Sequence, residues 1–305
     1  MSITPGYWCP VVASSEVGKR PVARTRFGQN LVFWRSGDRL VCMPDRCPHR
    51  SAALSLGRIN KINGALACRF HGLEFAADGQ CVNVPVEIDQ RIRGDFCVES
   101  LPVREADGYV WIWRGAETEQ HQELPAHPAL AGLHYGEATT EWPAHYTRCI
   151  ENVCDYSHLP FVHRTTIGAR NRDPVVNIEM EDVPGGFRAY LLKHGERGQY
   201  LEFLYPNLWA LVISERMMMS SVFAPIDDNR TAVYGRTYYR KSAPGKKQLM
   251  NLWSLISQYL VFREDWPVVA SQSPGDIREA QHEKLLPSDA PVLAFRKLHR
   301  TYSQI

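Results

Sequence analysis

Four side chains in one short stretch constrain this chain more than anything else in it. Cys47-Pro48-His49 is followed, eighteen residues later, by Cys68-Arg69-Phe70-His71. Two tight Cys/His pairs point thiolate and imidazole at one centre, a ligand set that suits zinc or an iron–sulfur cluster. Pro48 stiffens the first half and Gly72 follows the second, so each pair is expected on a tight loop. A structural zinc site ordinarily keeps its two cysteines together and its two histidines together. Here each half holds one of each.

That distribution favours a [2Fe–2S] centre of Rieske type, in which one iron takes both thiolates and the other both neutral imidazoles. A zinc-stabilised binding protein is the competing reading. The wider segment is Cys47-Pro48-His49-Arg50-Ser51-Ala52-Ala53-Leu54, Gly57, Cys68-Arg69-Phe70-His71-Gly72-Leu73-Glu74-Phe75 and Asp78-Gly79-Gln80-Cys81. It resembles the Rieske domain of the Rieske non-heme iron oxygenases, and among them the oxygenase (alpha) subunits of the single-component vanillate and dicamba O-demethylase type. Arg69-Phe70 departs from the Pro-Tyr more common there, which alters surface charge beside the cluster and not its ligands. Cys47, His49, Cys68 and His71 are the expected cluster ligands.

Residues 1–116 read as an all-β domain. Residues 30–34 and 40–43 flank Ser36-Gly37-Asp38, and residues 73–75 and 81–84 flank Ala77-Asp78-Gly79, both hairpin signals. Residues 109–113 supply a last aromatic strand. Across 115–134 the chain is polar and Pro-punctuated, which reads as a linker carrying His121, His127 and His134 on the surface. Residues 117–305 then make a second domain.

That domain holds a second pattern. Residues 146–158 can be helical, placing Asn152, Asp155 and His158 on one stripe. Pro160 disfavours continuation, so His158 is expected near a helix end and His163 beyond a bend, where both can reach one ion. Alone, His-x4-His is as readily two unrelated polar residues. After a Rieske segment it resembles the mononuclear iron motif of the same family, whose two histidines bind Fe(II) and whose aspartate does not. Residues 175–240 read as an antiparallel sheet, with turn-formers such as Pro184-Gly185-Gly186 and Asp227-Asp228-Asn229 between several candidate strands. Leu249, Leu252, Trp253, Ile256, Tyr259, Leu260 and Arg263 recur at helical spacing, which predicts an amphipathic helix ending near Arg263. Asp265 can cap a following turn with Pro267 in its first turn. The resemblance gives Asp265 another role, third iron ligand, with Glu264 the fallback and Asp276 a more distant one.

The resemblance implies an α+β chain: the Rieske domain, then a helix-grip catalytic domain in which a curved antiparallel sheet holds helices. It implies O2 activation at a mononuclear Fe(II), with electrons relayed through the cluster, to hydroxylate or oxidatively demethylate a small organic substrate. Aromatic-ring cis-dihydroxylation and a Rieske ferredoxin-like electron carrier are the alternatives. It further implies a separate reductase, with or without a ferredoxin, bringing electrons from NAD(P)H. The expected assembly is a head-to-tail homotrimer in which Asp155 links a cluster histidine of one subunit, by motif position His71, to His158 of the next. Asp155 and Asn152 are thereby the candidate catalytic residues beside the metal ligands His158, His163 and Asp265.

Composition excludes other classes. A net charge of +2 with interspersed signs gives no case for nucleic acid. No apolar run approaches the roughly 18–20 residues of a membrane span, and the start has no signal pattern, so a cytoplasmic protein is the expectation. No GxGxxG or P-loop occurs, consistent with NAD(P)H acting through another protein. Cys9, Cys42, Cys81, Cys97, Cys149 and Cys154 are scattered and expected to be mostly buried thiols. Tyr156, Phe161, Phe203, Tyr205, Trp209 and Met218 are candidate walls of an apolar pocket.

Overall fold

A computed structural model describes residues 6–115, 123–167, 177–240 and 245–302. The chain divides into two compact units, Tyr7–Gln120, and His121–Ile305 with Met1–Gly6. The boundary expected at 116/117 and the histidine at His121 lie outside the described residues.

The first unit is all β: β1 (Tyr7–Ala13), β2 (Val22–Arg26), β3 (Gln29–Ser36), β4 (Arg39–Pro44), β5 (Arg58–Ile59), β6 (Leu66–Ala67), β7 (Glu74–Phe75), β8 (Cys81–Asn83), β9 (Val103–Ala106) and β10 (Tyr109–Arg114). They form three sheets, ordered β1-β10-β9, β2-β3-β4 and β5-β6-β7-β8. Both expected hairpins are present, as β3–β4 and β7–β8. Gly79 in the second is at φ 88° with the Val98 carbonyl so close that a Cβ would sit 1.8 Å from it. No other residue fits that approach. Val32, Trp34, Met43, Leu54, Leu66 and Phe75 pack as a closed core with Cys47 and Cys68.

The second unit is α+β. Its elements are β11 (His134–Trp142), α1 (Tyr146–Cys154), α2 (Leu159–Val162), β12 (Ile178–Val183), β13 (Gly186–Lys193), β14 (Glu196–Leu204), β15 (Leu208–Ser214), β16 (Met217–Asp227), β17 (Arg230–Tyr239), α3 (Lys246–Ala270) and α4 (Ala290–Tyr302). The strands make one antiparallel sheet, β11-β17-β16-β15-β14-β13-β12. The sheet expected over 175–240 is there, with residues 175–176 outside the described part. Strand β11 was hidden by its own composition: nine mostly polar residues beside a Pro-rich run. His127 is not a surface residue. Its side chain is 7% exposed and its Nδ1 lies 2.7 Å from Glu202 Oε1. His134 opens β11 and stacks on Tyr239.

Helix α3 departs from expectation twice. It runs 25 residues without a break, through Pro267, so Asp265 lies inside it and caps nothing. Its apolar face also points away from the sheet. Leu249, Leu252, Trp253, Ile256, Tyr259 and Leu260 are 45–65% exposed. The polar side meets the strands instead: Asn251 Oδ1 accepts from Glu137 N at 3.0 Å, and Ser254 Oγ donates to the Gly136 carbonyl at 3.3 Å. Two glycines permit this approach. A Cβ at Gly136 would lie 2.4 Å from Met250 C, and one at Gly235 would lie 2.3 Å from Gln258 Nε2.

Helix α4 buries His299 against Phe295. Burial lowers its pKa from 6.5 to about 4, because the charged ring is poorly solvated there. A histidine held below its unfolded pKa stabilises the fold fully above about pH 6.5 and loses that contribution as pH falls through about 4. The expected loss is roughly 3 kcal/mol for this group. Urea midpoints should therefore fall between pH 7 and pH 4.5, and His299→Gln should flatten that slope. An unchanged slope would remove His299 from the account.

Candidate metal centres and substrate cavity

The two Cys/His loops share one backbone template. Cys47 N–H donates to the carbonyl five residues on, Ala52, and Ser51 N–H donates back to the Cys47 carbonyl, each at 2.8 Å. Cys68 N–H likewise donates to Leu73 O at 2.8 Å, and Gly72 N–H to Cys68 O at 3.0 Å. The fifth residue of each loop takes a positive φ, 59° at Ser51 and 76° at Gly72. Both sulfurs are buried. Burial pushes the Cys47 thiol up to about 11, while the backbone N–H groups of His49 and Arg50 pull it down. Those donors are aimed to stabilise a thiolate. The His49 and His71 rings lie 4.6 Å apart, and His71 Nδ1 is buried with no hydrogen-bond partner among the described residues. Two sulfurs, two adjacent imidazoles and an orphaned ring nitrogen fit a [2Fe–2S] cluster.

In the second unit, α1 ends at Cys154 and Asp155 is its extended C-cap. Pro160 begins the short α2 rather than breaking a longer helix, because a missing N–H is tolerated in a first turn. His158 and His163 thus bracket α2, and α3 brings up Asp265. Their ligand atoms lie within 4.8 Å of one another. His163 Nε2 is 2.9 Å and His158 Nε2 3.6 Å from Asp265 Oδ1, and the two Nε2 atoms are 3.3 Å apart. An ion with bonds of about 2.1 Å would hold ligands on one face about 3.0–3.4 Å apart, for octahedral or tetrahedral geometry.

Carboxylates stand behind both rings. His163 Nδ1 is 2.8 Å from Glu264 Oε2; a carboxylate only accepts, so this Nδ1 carries the proton and Nε2 presents a lone pair. His158 Nδ1 faces Asp155 Oδ2 at 3.4 Å without a hydrogen bond. With His158 in the same tautomer, three lone pairs face one another in a buried pocket, an arrangement that repels unless a cation sits between them. Asp265 Oδ1 has no hydrogen-bond partner, as a ligand atom would not.

Glu264, the fallback ligand in the sequence, instead supports a ligand from behind. Burial works against its charge, but hydrogen bonds from Thr165, Thr166 and His163 hold its carboxyl below the usual range. Asp276 is elsewhere, capping a short turn and paired with Arg278. Asp155 accepts from Ser157 N at 2.6 Å and Oγ at 2.7 Å; despite burial, His158 and Ser157 hold it below the usual range. Glu264→Gln is expected to weaken iron binding in this unit by about 10–100-fold, since a support behind a ligand histidine sets its basicity and orientation. Iron retention against a chelator measures it, and retention equal to the unaltered chain would sink that role.

A cavity of about 860 Å³ opens over His158, His163 and Asp265, with Asn152, Asp155, Tyr156, Trp209, Leu211, Met219 and Phe262 in its wall. Of the expected wall residues, Tyr156 and Trp209 are there. Phe161 is 59% exposed, Phe203 is core, and Met218 packs with Leu130 and Tyr238 away from the cavity. Alternation along β16 decides this: Met219 faces the cavity, so Met218 does not.

Residues 7–94 match the Rieske [2Fe-2S] domain, and residues 142–207 match the vanillate O-demethylase oxygenase C-terminal domain. The chain belongs to the Rieske non-heme iron oxygenase family, with a catalytic domain of the vanillate O-demethylase type. It is 33% identical to the chloroplastic protein TIC 55 of Arabidopsis thaliana over 95% of this chain and 58% of that one. It is 31% identical to a vanillate O-demethylase oxygenase subunit of Pseudomonas sp. (strain HR199 / DSM 7063), over 54% of this chain and 47% of that one. This chain thus spans about half the length of these curated relatives. Among solved structures, NdmA of Pseudomonas putida CBB5 with caffeine superposes with a TM-score of 0.81 and 26% identity, covering 95% of this chain and 88% of that one.

Proposed function

We propose that this chain is the oxygenase component of a Rieske mono-oxygenase acting on a small organic substrate. One observation carries the reading: three metal-ligand side chains, His158, His163 and Asp265, converge within 4.8 Å at the wall of a largely apolar cavity in a chain that also has a Rieske domain. Cys47, Cys68, His49 and His71 would hold the [2Fe–2S] cluster, and His158, His163 and Asp265 the Fe(II). When bound, the two groups supply stored electrons and open positions for O2, the chemistry of hydroxylation or oxidative demethylation. Glu264 holds the His163 imidazole as its Nδ1–H tautomer, and Asp155 stands beside His158 Nδ1. Asn152 and Tyr156 close the wall beside them and help exclude water. Mono-oxygenation rather than cis-dihydroxylation is favoured by the likeness to the demethylase group.

A separate reductase, with or without a ferredoxin, delivers electrons from NAD(P)H in this reading. The assembly is a homotrimer in which Asp155 reaches the partner subunit's His71; the exposed apolar face of α3 supports burial against another protein surface. Among the described residues no helix is long and apolar enough to cross a membrane. The six cysteines outside the proposed cluster form no disulfide, which supports a reducing compartment, the cytoplasm. The test is metal content after purification without oxygen. About three irons and two acid-labile sulfides per chain are expected. Two irons and two sulfides, with no third iron taken up on adding Fe(II), would make the chain an electron carrier instead.

A further inference from the structure

The two imidazoles of the first unit are backed by different phenylalanines. His49 meets Phe96 edge-on at 6.1 Å, and Phe96 packs against the core of that unit. His71 meets Phe70 at 4.0 Å, with the rings tilted by 37°. Phe70 is 55% exposed, and over its ring lies the Arg50 guanidinium, 5.3 Å from the centroid. His71, Phe70 and Arg50 thus stack outward from the site toward solvent.

The stack joins the two Cys/His loops. Arg50 belongs to the first, where its backbone N–H is one of those aimed at the Cys47 sulfur. Its main chain is fixed by that loop, and its side chain crosses to Phe70 on the second. The negative face of the ring attracts the planar guanidinium, which stays charged at any working pH. A ring packed on an imidazole in turn limits its rotation and its contact with water, as supports around metal ligands do.

Charge gives the stack a second effect. The guanidinium lies within about 10 Å of the His71 ring, a distance over which ordinary salt screens an exposed charge only in part. A [2Fe–2S] centre gains one negative charge on reduction, and a nearby cation favours that state. We propose that Arg50 and Phe70 clamp the His71 imidazole from outside: Phe70 seats the ring, and the Arg50 cation held on Phe70 raises the reduction potential of the cluster that His71 would ligate. Both are positioning residues. A higher potential draws the electron more completely from the donor protein. The inference rests on the reading of His71 as a cluster ligand.

The test is an anaerobic redox titration of the full chain, followed by the EPR signal of the reduced cluster. Arg50→Gln should lower the midpoint, so that the ratio of reduced to oxidised cluster at a fixed potential falls about threefold in low salt. The fall should shrink in about 1 M potassium chloride, where the screening length is roughly 3 Å. Arg50→Lys, which keeps the charge, should restore most of the potential. Phe70→Leu removes the platform and should lower the midpoint as well. The double variant should then fall no further than Arg50→Gln alone, because one interaction cannot be lost twice. The Arg50 variants carry the test even if Phe70→Leu loses its iron. An unmoved potential in Arg50→Gln, an equal fall in Arg50→Lys, a fall that persists in high salt, or additive shifts would each overturn the inference alone. A reduced protein without a Rieske-type EPR signal would overturn the ligand assignment and this inference together.

Discussion

Asp265→Ala removes the third iron and lowers substrate-dependent O2 consumption by at least about a thousandfold, about 4 kcal/mol of barrier, while the Rieske absorbance is unchanged. The reason is electrostatic. Asp265 is 3% exposed and supplies the anionic corner of the triangle with His158 and His163. Without it, two neutral imidazoles remain, too few ligands and no charge to hold a hard divalent ion against water. The cavity should survive, because the side chain sits inside α3 and alanine suits a helix. Metal analysis and O2 uptake on the same preparation check the result. A variant that keeps three irons and turns over would reassign the third ligand, with Glu264 next to be examined.

Arg148→Met destabilises the second unit by roughly 3–5 kcal/mol, the cost of stranding a buried charge. Arg148 is 1% exposed and donates to Glu151 at 2.8 Å, to Glu283 at 2.7 Å and to the Pro274 carbonyl at 2.7 Å. Arg296 closes the box on the same two glutamates. Two guanidiniums balance two carboxylates; removing one leaves net negative charge in the interior. The box pins α1, whose far end carries Asn152 and Asp155, to α4 and the segment before it. Urea unfolding followed by tryptophan fluorescence measures the loss, and a change under about 1 kcal/mol would show that the box is not a stabilising unit. Glu283→Gln, at the more exposed corner, should cost less.

The two matched Cys/His loops were legible because the residue types at Cys47, His49, Cys68 and His71 can be read without knowing the fold. The sheet was legible because turn-formers such as Pro184-Gly185-Gly186 and Asp227-Asp228-Asn229 punctuate its strands. Strand β11 was not, since nine residues with few apolar side chains gain their stability from pairing with β17. The direction of α3 was not legible either. Periodicity reveals that a helix has two faces, and only the partner decides which one turns inward; here Gly136 and Gly235 draw in the polar face. Asp265 was picked out through resemblance, whereas the residue-level reading made it a cap. Glu264, expected only as the fallback, lies elsewhere for a geometric reason: neighbouring helix positions point about 100° apart, so Asp265 reaches His158 and His163 while Glu264 reaches the back of His163.

Helix α3 carries Asp265 and, two turns earlier, Gln258 over Gly235. The strands opposite carry Trp209, Leu211 and Met219. Anyone reshaping this pocket in the laboratory thus meets two unequal walls. Changes along the helix that shift its seat also shift a carboxylate of the triad, so a gain in substrate range there is coupled to iron retention. Changes on β15 and β16 leave the triad where it is. A library confined to the strand wall should yield altered selectivity with iron retained, whereas one spread along the helix should yield mostly inactive, iron-poor protein.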